Sequence, residues 1–460
     1  MTPRYVSTRA DRSHMQGSVP FAEALQTGLA PDGGLFVPDS VPALPSGWHD
    51  ADSIADVGRR VLPSWLSTEV EPDALDALVT DALRFPIPLV SLSGTGPDGV
   101  CYDGIHVLEL IHGPTLSFKD VGARTMARLL AYFRREANTH EANTHEAGAR
   151  EANPRGVLTI LVATSGDTGS AVADGFAGRP GLRVVLLYPD GQVSPVQQRQ
   201  LDVQRPGVRT FAVRGTFDDC QRLVKAAFAD PALAGVPLSS ANSINIGRLL
   251  PQMLYYPWAF VQGGFDAANV CVPSGNLGNL TGGVLARLAG LPVHRFLAAH
   301  NANGFFPDYL AQDESEPAPF PASVRTPSNA MDVGAPSNFE RLRHLLGAAG
   351  LREHVWGTSV GDTATLSRLR HAYEATGYLA CPHTAVGLEA VLRYRAETGD
   401  ATPTIVLATA HPAKFPEVVQ QALPMLAAPT SSALEALLDA PKAVQPLHAT
   451  SAALRTALLA

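Results

Sequence analysis

The chain has 460 residues, of which 45% are hydrophobic and 17% are charged, and it carries a formal net charge of −8 at pH 7. Such totals are typical of a globular protein with two or three domains, and an acidic chain without a basic stripe is not a general nucleic-acid binder. Residues 1–17 contain no apolar signal core, no apolar run reaches the roughly 18 residues of a membrane helix, and four scattered cysteines predict reduced thiols in a cytoplasmic protein.

The first predicted unit is an N-terminal domain over residues 1–100, where Pro and Gly punctuate short helical patterns. From residue 101 to residue 425, short apolar runs alternate with Gly-rich turns and helical patterns. Runs such as 157–163 and 404–409 are continuously apolar and β-branched, which predicts buried parallel strands of an α/β fold. The final segment, 426–460, is rich in Ala and Leu and predicts a helical tail.

Residues 136–155 form four similar pentads, beginning with EANTHEANTH. His140, Glu141 and His145 resemble the zinc-protease pattern H-E-x-x-H, but the two histidines are five residues apart. Since a helix has about 3.6 residues per turn, that spacing places them roughly 140° apart instead of on one face. The repeat therefore predicts a solvated helical extension or a loose insertion, without a metal role.

Two Gly-rich turns follow predicted strands and precede helical patterns, at residues 164–169 and 274–279. Backbone N–H groups at such a helix start form a ready site for an anion. Neither turn is a dinucleotide fingerprint or a Walker A motif. Each is a weak signal alone, because Gly-rich turns between strands and helices are common.

A third polar cluster occupies residues 239–248, with the sequence SSANSINIGR. One interpretation is an Asn/Ser turn that caps the following helix. The other is a cradle of side chains in which Arg248 meets a phosphate or a carboxylate. The local sequence leaves both interpretations open.

The chain has only four lysines. Lys225 lies on an amphipathic helical pattern and Lys442 lies in the tail, so both are expected in solvent. Lys414 follows a predicted strand end and is a modest candidate for chemistry. Lys119 follows a Gly-Pro turn and opens a helical pattern, where the helix dipole favours loss of its proton.

A lysine that easily becomes neutral is what a Schiff base requires. Together with two anion cradles, Lys119 predicts a pyridoxal 5'-phosphate site, with the aldehyde on the lysine, the phosphate in one Gly-rich loop and a substrate carboxylate in the other.

Longer motifs point to one family. They are, in chain order, YVSTRA, GLAPDGGLFVP, ELIHGPTLSFKD, LVATSGDTG, SSANSINIGR, VPSGNLGNLTGG, TPSNAMDVGAPSNFER and TAHPAKF. In order and spacing they resemble the threonine synthase family of the bacterial and fungal type, over roughly residues 5–425. The resemblance implies pyridoxal-phosphate fold type II, similar to the tryptophan synthase β subunit. That fold has two open twisted sheet domains flanked by helices, here within 101–425, plus an N-terminal mainly helical segment.

The resemblance also implies roles for individual residues. Lys119 would hold the cofactor and shuttle protons, Asp167 would lie near the ring hydroxyl, and Thr409 would give its hydroxyl to the pyridine nitrogen. The cofactor phosphate would be held by Gly275, Asn276, Leu277, Gly278 and Asn279. The substrate carboxylate would be held by Ser165, Gly166 and Thr168. The substrate phosphate would be held by Asn242, Ser243 and Arg248.

The reaction implied is the conversion of O-phospho-L-homoserine and water to L-threonine and phosphate, the last step of threonine biosynthesis. A partner is expected to be a small-molecule substrate, not nucleic acid or membrane, and the protein to be a monomer or a small homo-oligomer. Two rivals are a serine/threonine dehydratase of the same fold and a non-catalytic binder of phosphorylated ligands. Two positions depart from the family pattern, Gly304 in place of an acid and Ala10 in place of a glycine.

Overall fold

The computed structural model of the chain describes residues 2–10, 17–144, 156–312 and 316–460. The strands are β1 (Tyr5–Ser7), β2 (Phe36–Pro38), β3 (Leu89–Leu92), β4 (Ile105–Glu109), β5 (Leu158–Ala163), β6 (Leu182–Pro189), β7 (Val208–Arg214), β8 (Leu238–Ser239), β9 (Ala268–Pro273), β10 (Val293–His300), β11 (Val355–Ser359), β12 (Thr404–Ala408) and β13 (Val444–His448).

The α-helices of the same residues are α1 (Phe21–Thr27), α2 (Ile54–Val61), α3 (Pro63–Leu66), α4 (Pro72–Ala82), α5 (Lys119–Thr144), α6 (Asp167–Phe176), α7 (Pro195–Asp202), α8 (Phe217–Phe228), α9 (Ile246–Leu249), α10 (Tyr255–Gly263), α11 (Gly278–Leu288), α12 (Phe305–Ala311), α13 (Phe339–His354), α14 (Asp362–Thr376), α15 (Pro382–Thr398), α16 (Pro416–Ala422), α17 (Ser432–Leu438) and α18 (Ser451–Leu459).

The N-terminal segment is mainly helical, as predicted, with β1 and β2 forming a small antiparallel pair. Helix α2 shows why these residues fold as they do. Its buried residues Ile54, Val57 and Val61 recur every three or four positions, and Ser53 caps the helix by accepting a hydrogen bond from the N–H of Asp56. This apolar face packs into the same core as the first helices of the α/β region.

The larger of two main sheets has the strand order β11-β10-β9-β12-β4-β3, in which only the β3–β4 pairing is antiparallel. Every residue of β9 and β12 is buried. Helices cover both faces of a parallel sheet, which explains the continuous apolar runs in the sequence. This sheet also begins earlier than the predicted boundary at residue 100, because β3 lies at 89–92 and pairs with β4.

The smaller sheet is parallel and has the order β13-β7-β6-β5-β8. The predicted helical tail from residue 426 also contains a strand that was not predicted, because β13 adds an edge strand to this sheet. Pairing with β7 satisfies backbone groups that would otherwise lie at an open edge, and it buries Leu447. Helices α17 and α18 flank this strand, so the Ala/Leu-rich stretches are helical as predicted.

The pentad segment continues α5 as far as Thr144, which agrees with a helical extension over its first part. Residues 145–155 and the side chains of 138–144 lie outside the described residues, and so does the His140–Glu141–His145 pattern. Within the described part of the chain, no group of three or more potential metal ligands occurs. There, too, no helix is long and apolar enough to span a membrane.

Candidate active site

Lys119 is the first residue of α5 and lies close to the carboxylate of Asp167, with its Nζ 3.9 Å from Oδ2. Its side chain is only 15% exposed. Burial lowers the pKa of Lys119 to about 8; Asp167 opposes this shift, and the charges of Lys414 and Arg248 add to it. The sequence analysis attributed the easy loss of the Lys119 proton to the helix start. The structure adds burial and two neighbouring cations as causes of the lowered pKa.

Asp167 begins α6 and forms a contact ion pair with Lys414, whose Nζ is 2.6 Å from Oδ1. Gln197 donates to the same oxygen from Nε2 at 2.9 Å. Burial raises the pKa of Asp167, but Lys414 and Lys119 outweigh it and hold that pKa well below its usual range. The carboxylate is therefore ionised while buried among two amines.

Lys414 is completely buried, and its Nζ also donates to the carbonyl of Thr115 at 3.0 Å. The two other lysines, Lys225 and Lys442, are exposed as predicted. Lys119 and Lys414 therefore lie in one site, although the sequence treated them as competing candidates.

The loop 274–279 joins β9 to α11 and turns through Leu277, which has a φ of 59°. The backbone N–H groups of 275–279 donate to no acceptor among the described residues. Asn279 braces the loop, since its Nδ2 donates to the Pro273 carbonyl at 2.9 Å and its Oδ1 accepts from Ser274 at 2.6 Å. Free N–H groups at the start of an 11-residue helix form a cradle suited to a phosphate.

Gly275 cannot carry a side chain in this arrangement. A Cβ there would lie 2.8 Å from the Cα of Met331, so the segment around Met331 packs directly against the loop. Asn276, in the same loop, donates from Nδ2 to the hydroxyl of Ser243 at 2.6 Å. The predicted cradle for the cofactor phosphate thus adjoins a residue predicted to bind the substrate phosphate.

The turn 164–169 joins β5 to α6 and is held by Thr164, a residue that the sequence analysis did not single out. Its Oγ1 accepts from the N–H of Gly166 at 3.0 Å and from that of Gly169 at 2.8 Å. The hydroxyls of Ser165 and Thr168 have no partner within the described part of the chain. Gly166 is required as glycine, because its φ is 142° and a Cβ would lie 2.6 Å from the Gln197 side chain.

Arg248 is buried in α9, with only 3% of its surface exposed. Its Nη1 donates to the Ala241 carbonyl at 2.6 Å, its Nε has no partner, and no described carboxylate lies within ion-pair distance. Burial lowers its pKa to about 10, opposed by Asp120. A buried guanidinium without a counter-ion in the described part of the chain is suited to an anionic ligand.

The two interpretations of the 239–248 cluster hold for different residues. Asn245 is the helix cap, and its side chain accepts from the N–H of Gly247 at 2.9 Å. Asn242, by contrast, has a buried Oδ1 without a partner, and Ser239 has a buried hydroxyl without one. Together with Arg248, these groups form a polar set that the described chain itself does not satisfy.

Thr409 directly follows β12, where its carbonyl accepts from the N–H of Phe118 at 3.0 Å. That bond ties the end of the strand to the residue preceding Lys119. The Thr409 hydroxyl has no hydrogen-bond partner among the described residues, so it is available to a ligand.

A histidine missed by the sequence analysis also faces the site. His383 is 1% exposed near the start of α15, its Nε2 has no partner, and its ring packs edge-on against Phe415 at 4.9 Å between centroids. Burial lowers its pKa to about 4, with Asp167 opposing and the two lysines adding to the shift. The ring is therefore neutral at pH 7, and no sequence motif distinguished it from a core histidine.

The two departures from the family pattern differ in their surroundings. A Cβ at Gly304 would lie 2.2 Å from the hydroxyl of Ser359, so this chain has filled the space that a side chain would need. Ala10 is exposed.

Comparisons with known proteins agree along the whole chain. Residues 83–410 match the family described as "Pyridoxal-phosphate dependent enzyme", residues 4–83 match "Threonine synthase N terminus", and residues 384–458 match "Threonine synthase, C-terminal". Threonine synthase of Haemophilus influenzae is 39% identical over 420 residues, covering 89% of this chain and 90% of that protein. The Serratia marcescens threonine synthase is 40% identical over 418 residues, or 88% of each chain. A crystal structure of threonine synthase from Brucella melitensis with bound pyridoxal phosphate superposes with a TM-score of 0.86 at 30% identity, covering 99% of each chain.

Proposed function

Since the chain belongs to the threonine synthase family of pyridoxal-phosphate-dependent enzymes, we propose that it converts O-phospho-L-homoserine and water to L-threonine and phosphate. The observation that carries the proposal is Arg248, a buried guanidinium without a described carboxylate within ion-pair distance. A serine/threonine dehydratase acts on substrates without a phosphate and has no use for such a group.

The site residues fit the cofactor. Its phosphate would be held by the free N–H groups of 275–279, its aldehyde by Lys119, and its pyridine nitrogen by the Thr409 hydroxyl. Asp167 would lie beside the ring hydroxyl, as an ionised acceptor. When bound, pyridoxal phosphate supplies an electron sink for proton removal next to an amino group.

Lys119 is the proton carrier of the proposed mechanism. With a pKa of about 8 it is available both as an amine and as an ammonium near neutral pH, which suits a group that must take protons up and return them. The reaction needs proton transfers at Cα and Cβ of the substrate and, once phosphate has left, at Cγ. One amine at the start of a rigid helix can serve several of these positions.

Ser165 and Thr168 would bind the substrate carboxylate with their free hydroxyls, next to Gly166. At the other end, Arg248 and Asn242 would bind the substrate phosphate and stabilise the charge that grows on it as it departs. Ser243 would contribute its hydroxyl while tied to Asn276 of the neighbouring cradle. Because the guanidinium is buried, its interaction with a dianion is stronger than on an exposed surface.

A direct test is to incubate the purified protein with O-phospho-L-homoserine and to measure threonine and phosphate in equal amounts. Borohydride reduction followed by peptide mass spectrometry should place the cofactor on Lys119. Formation of a keto acid from serine or threonine, without phosphate chemistry, would support the dehydratase instead. A protein that takes up no cofactor would support a non-catalytic binder.

The remaining expectations stay predictions. They are a cytoplasmic location, a monomeric or small homo-oligomeric state, and the absence of nucleic-acid and membrane partners.

A further inference from the structure

Two of the four lysines of this chain share one buried carboxylate, and they share it unequally. Lys414 Nζ lies 2.6 Å from Oδ1 of Asp167, which is a contact ion pair. Lys119 Nζ lies 3.9 Å from Oδ2, at the outer limit of an ion pair. We propose that Lys414 is a positioning residue that pairs with Asp167 and thereby leaves Lys119 free to give up its proton; this inference rests on the proposed function.

The surroundings of Lys414 hold it in this pairing. It ends the short 3₁₀ turn Pro412–Lys414, which His411 caps by accepting from the N–H of Ala413 at 3.1 Å. The ammonium is 0% exposed and donates to the Thr115 carbonyl at 3.0 Å. A buried ammonium that lacks water as a partner stays with its counter-ion, since separation would leave two buried charges unpaired.

The titratable groups that face Lys119 come from four elements. Asp167 on α6 favours its protonated form, whereas Lys414 on the 3₁₀ turn and Arg248 on α9 disfavour it. His383 on α15 is neutral at pH 7, because burial lowers its pKa to about 4. Asp120, next in sequence, is held by Thr115, which donates to both of its oxygens at 2.6 and 2.9 Å.

These groups determine in which direction loss of the Lys414 charge moves the pKa of Lys119. Loss of the Lys414 charge removes one cation near Lys119 and also frees Asp167 to pair with Lys119 alone. Both changes favour the ammonium form of Lys119 and raise its pKa. Loss of Asp167 together with Lys414 removes the attraction as well, so burial again dominates and the pKa of Lys119 stays low.

The test uses the full chain freed of cofactor and measures the rate at which pyridoxal 5'-phosphate rebinds, from the growth of its visible absorption band, as a function of pH. Rebinding needs Lys119 as a free amine, so the wild-type profile should reach half its maximum near pH 8, the pKa of Lys119. Lys414→Met should move that point up by about one unit or more, and the rate at pH 7 should fall about tenfold. Lys225→Met removes an exposed lysine and should leave the profile unchanged.

Two further variants separate electrostatics from packing. Lys414→Arg keeps the charge and should restore most of the wild-type profile. The double variant Asp167→Asn/Lys414→Met removes both charges, and its half-maximum should return to the wild-type pH or below. The inference is overturned if the half-maximum pH of Lys414→Met lies within about 0.3 unit of the wild-type value, or if the half-maximum pH of the double variant is as high as that of Lys414→Met.

Failure of the proposed function is visible separately. Borohydride reduction of the rebound wild-type protein should tag the peptide that contains Lys119. A tag on Lys414 would refute the cofactor assignment itself, whereas a tag on Lys119 with an unmoved pH profile would refute only the role given to Lys414.

Discussion

Replacing Arg248 with alanine tests whether the buried cluster at 239–248 recognises a leaving phosphate. The side chain donates one hydrogen bond to the Ala241 carbonyl and keeps its Nε without a partner. A bound phosphate would add charge-assisted hydrogen bonds, each worth roughly 1.5–3 kcal/mol. Because charge accumulates on the phosphate as its bond to carbon breaks, much of that energy belongs to the transition state.

We expect Arg248→Ala to lose about 3–4 kcal/mol of transition-state stabilisation, a fall of about 10²- to 10³-fold in kcat/KM. The assay follows phosphate release and threonine formation from O-phospho-L-homoserine. The visible band of the bound cofactor should persist, because the 275–279 cradle lies in another loop. Thermal stability should change little, since one hydrogen bond, worth about 1 kcal/mol, is lost together with a buried charge.

Arg183→Ala is the matched control. Arg183 is partly buried, whereas Arg248 is fully buried, but burial lowers the pKa of both; Arg183 donates to Thr159 and to the Leu458 carbonyl. It lies at the amino end of β6, whereas the site lies at the carboxyl ends of the strands, so kcat/KM should stay near wild type. An Arg248→Ala enzyme within a few-fold of wild type would refute the phosphate role and weaken the proposed substrate.

Three other changes test separate features. Lys119→Met should raise the free energy of unfolding of the cofactor-free protein at pH 7 by about 1–3 kcal/mol. The pKa of Lys119 is about 8 in the folded protein and ordinarily 10.5, so the difference in unfolding free energy between variant and wild type should be largest below pH 8 and disappear as the pH rises to 10.5. Urea unfolding at several pH values would check this. Gly275→Ala should weaken cofactor binding at least tenfold in a spectroscopic titration, because the new Cβ would lie 2.8 Å from the Cα of Met331 and force the loop or the Met331 backbone to move. Unchanged affinity would mean that the loop moves freely. Deletion of residues 139–150 should leave kcat/KM within about twofold, as expected for a low-complexity repeat, and a large loss without unfolding would show that the repeat reaches the site.

The sequence predicted the turns and the helix start of the candidate site, because these depend on the local order of strand, turn and helix. A run of six buried residues ends at Ala163 and another at Pro273, and each is followed by glycines and a helix start, so both cradles could be located before the structure. Lys119 could be located for the same reason, as the first residue of a helix. The edge strand Val444–His448 could not, because only its pairing with β7 makes it a strand.

Long-range pairing also hid the partner of Asp167. Lys414 is 247 positions further along the chain than Asp167, and the local pattern around it shows only a strand end and a proline. Its contact with Asp167 exists because β5 and β12 belong to different sheets whose carboxyl ends meet. Gln197 donates to the same carboxylate from a further helix, and His383, on another helix, lies within the electric field of Asp167 and both lysines. Side chains that converge from four elements carry no shared spacing in the sequence, so only the fold could bring them together.

That convergence explains why a stable protein can maintain this site. Three buried groups cost folding free energy. They are Lys119 with its lowered pKa, Arg248 with no described carboxylate within ion-pair distance, and neutral His383 with no described partner on Nε2. Each lies against rigid elements of the sheets and their helices, where a continuous apolar core fixes the backbone. Under the proposed function, a phosphorylated amino acid and the cofactor would supply partners to groups that the described chain leaves unsatisfied. We therefore expect ligand binding to stabilise the protein more than the contact area alone suggests, through the buried charges of Lys119 and Arg248.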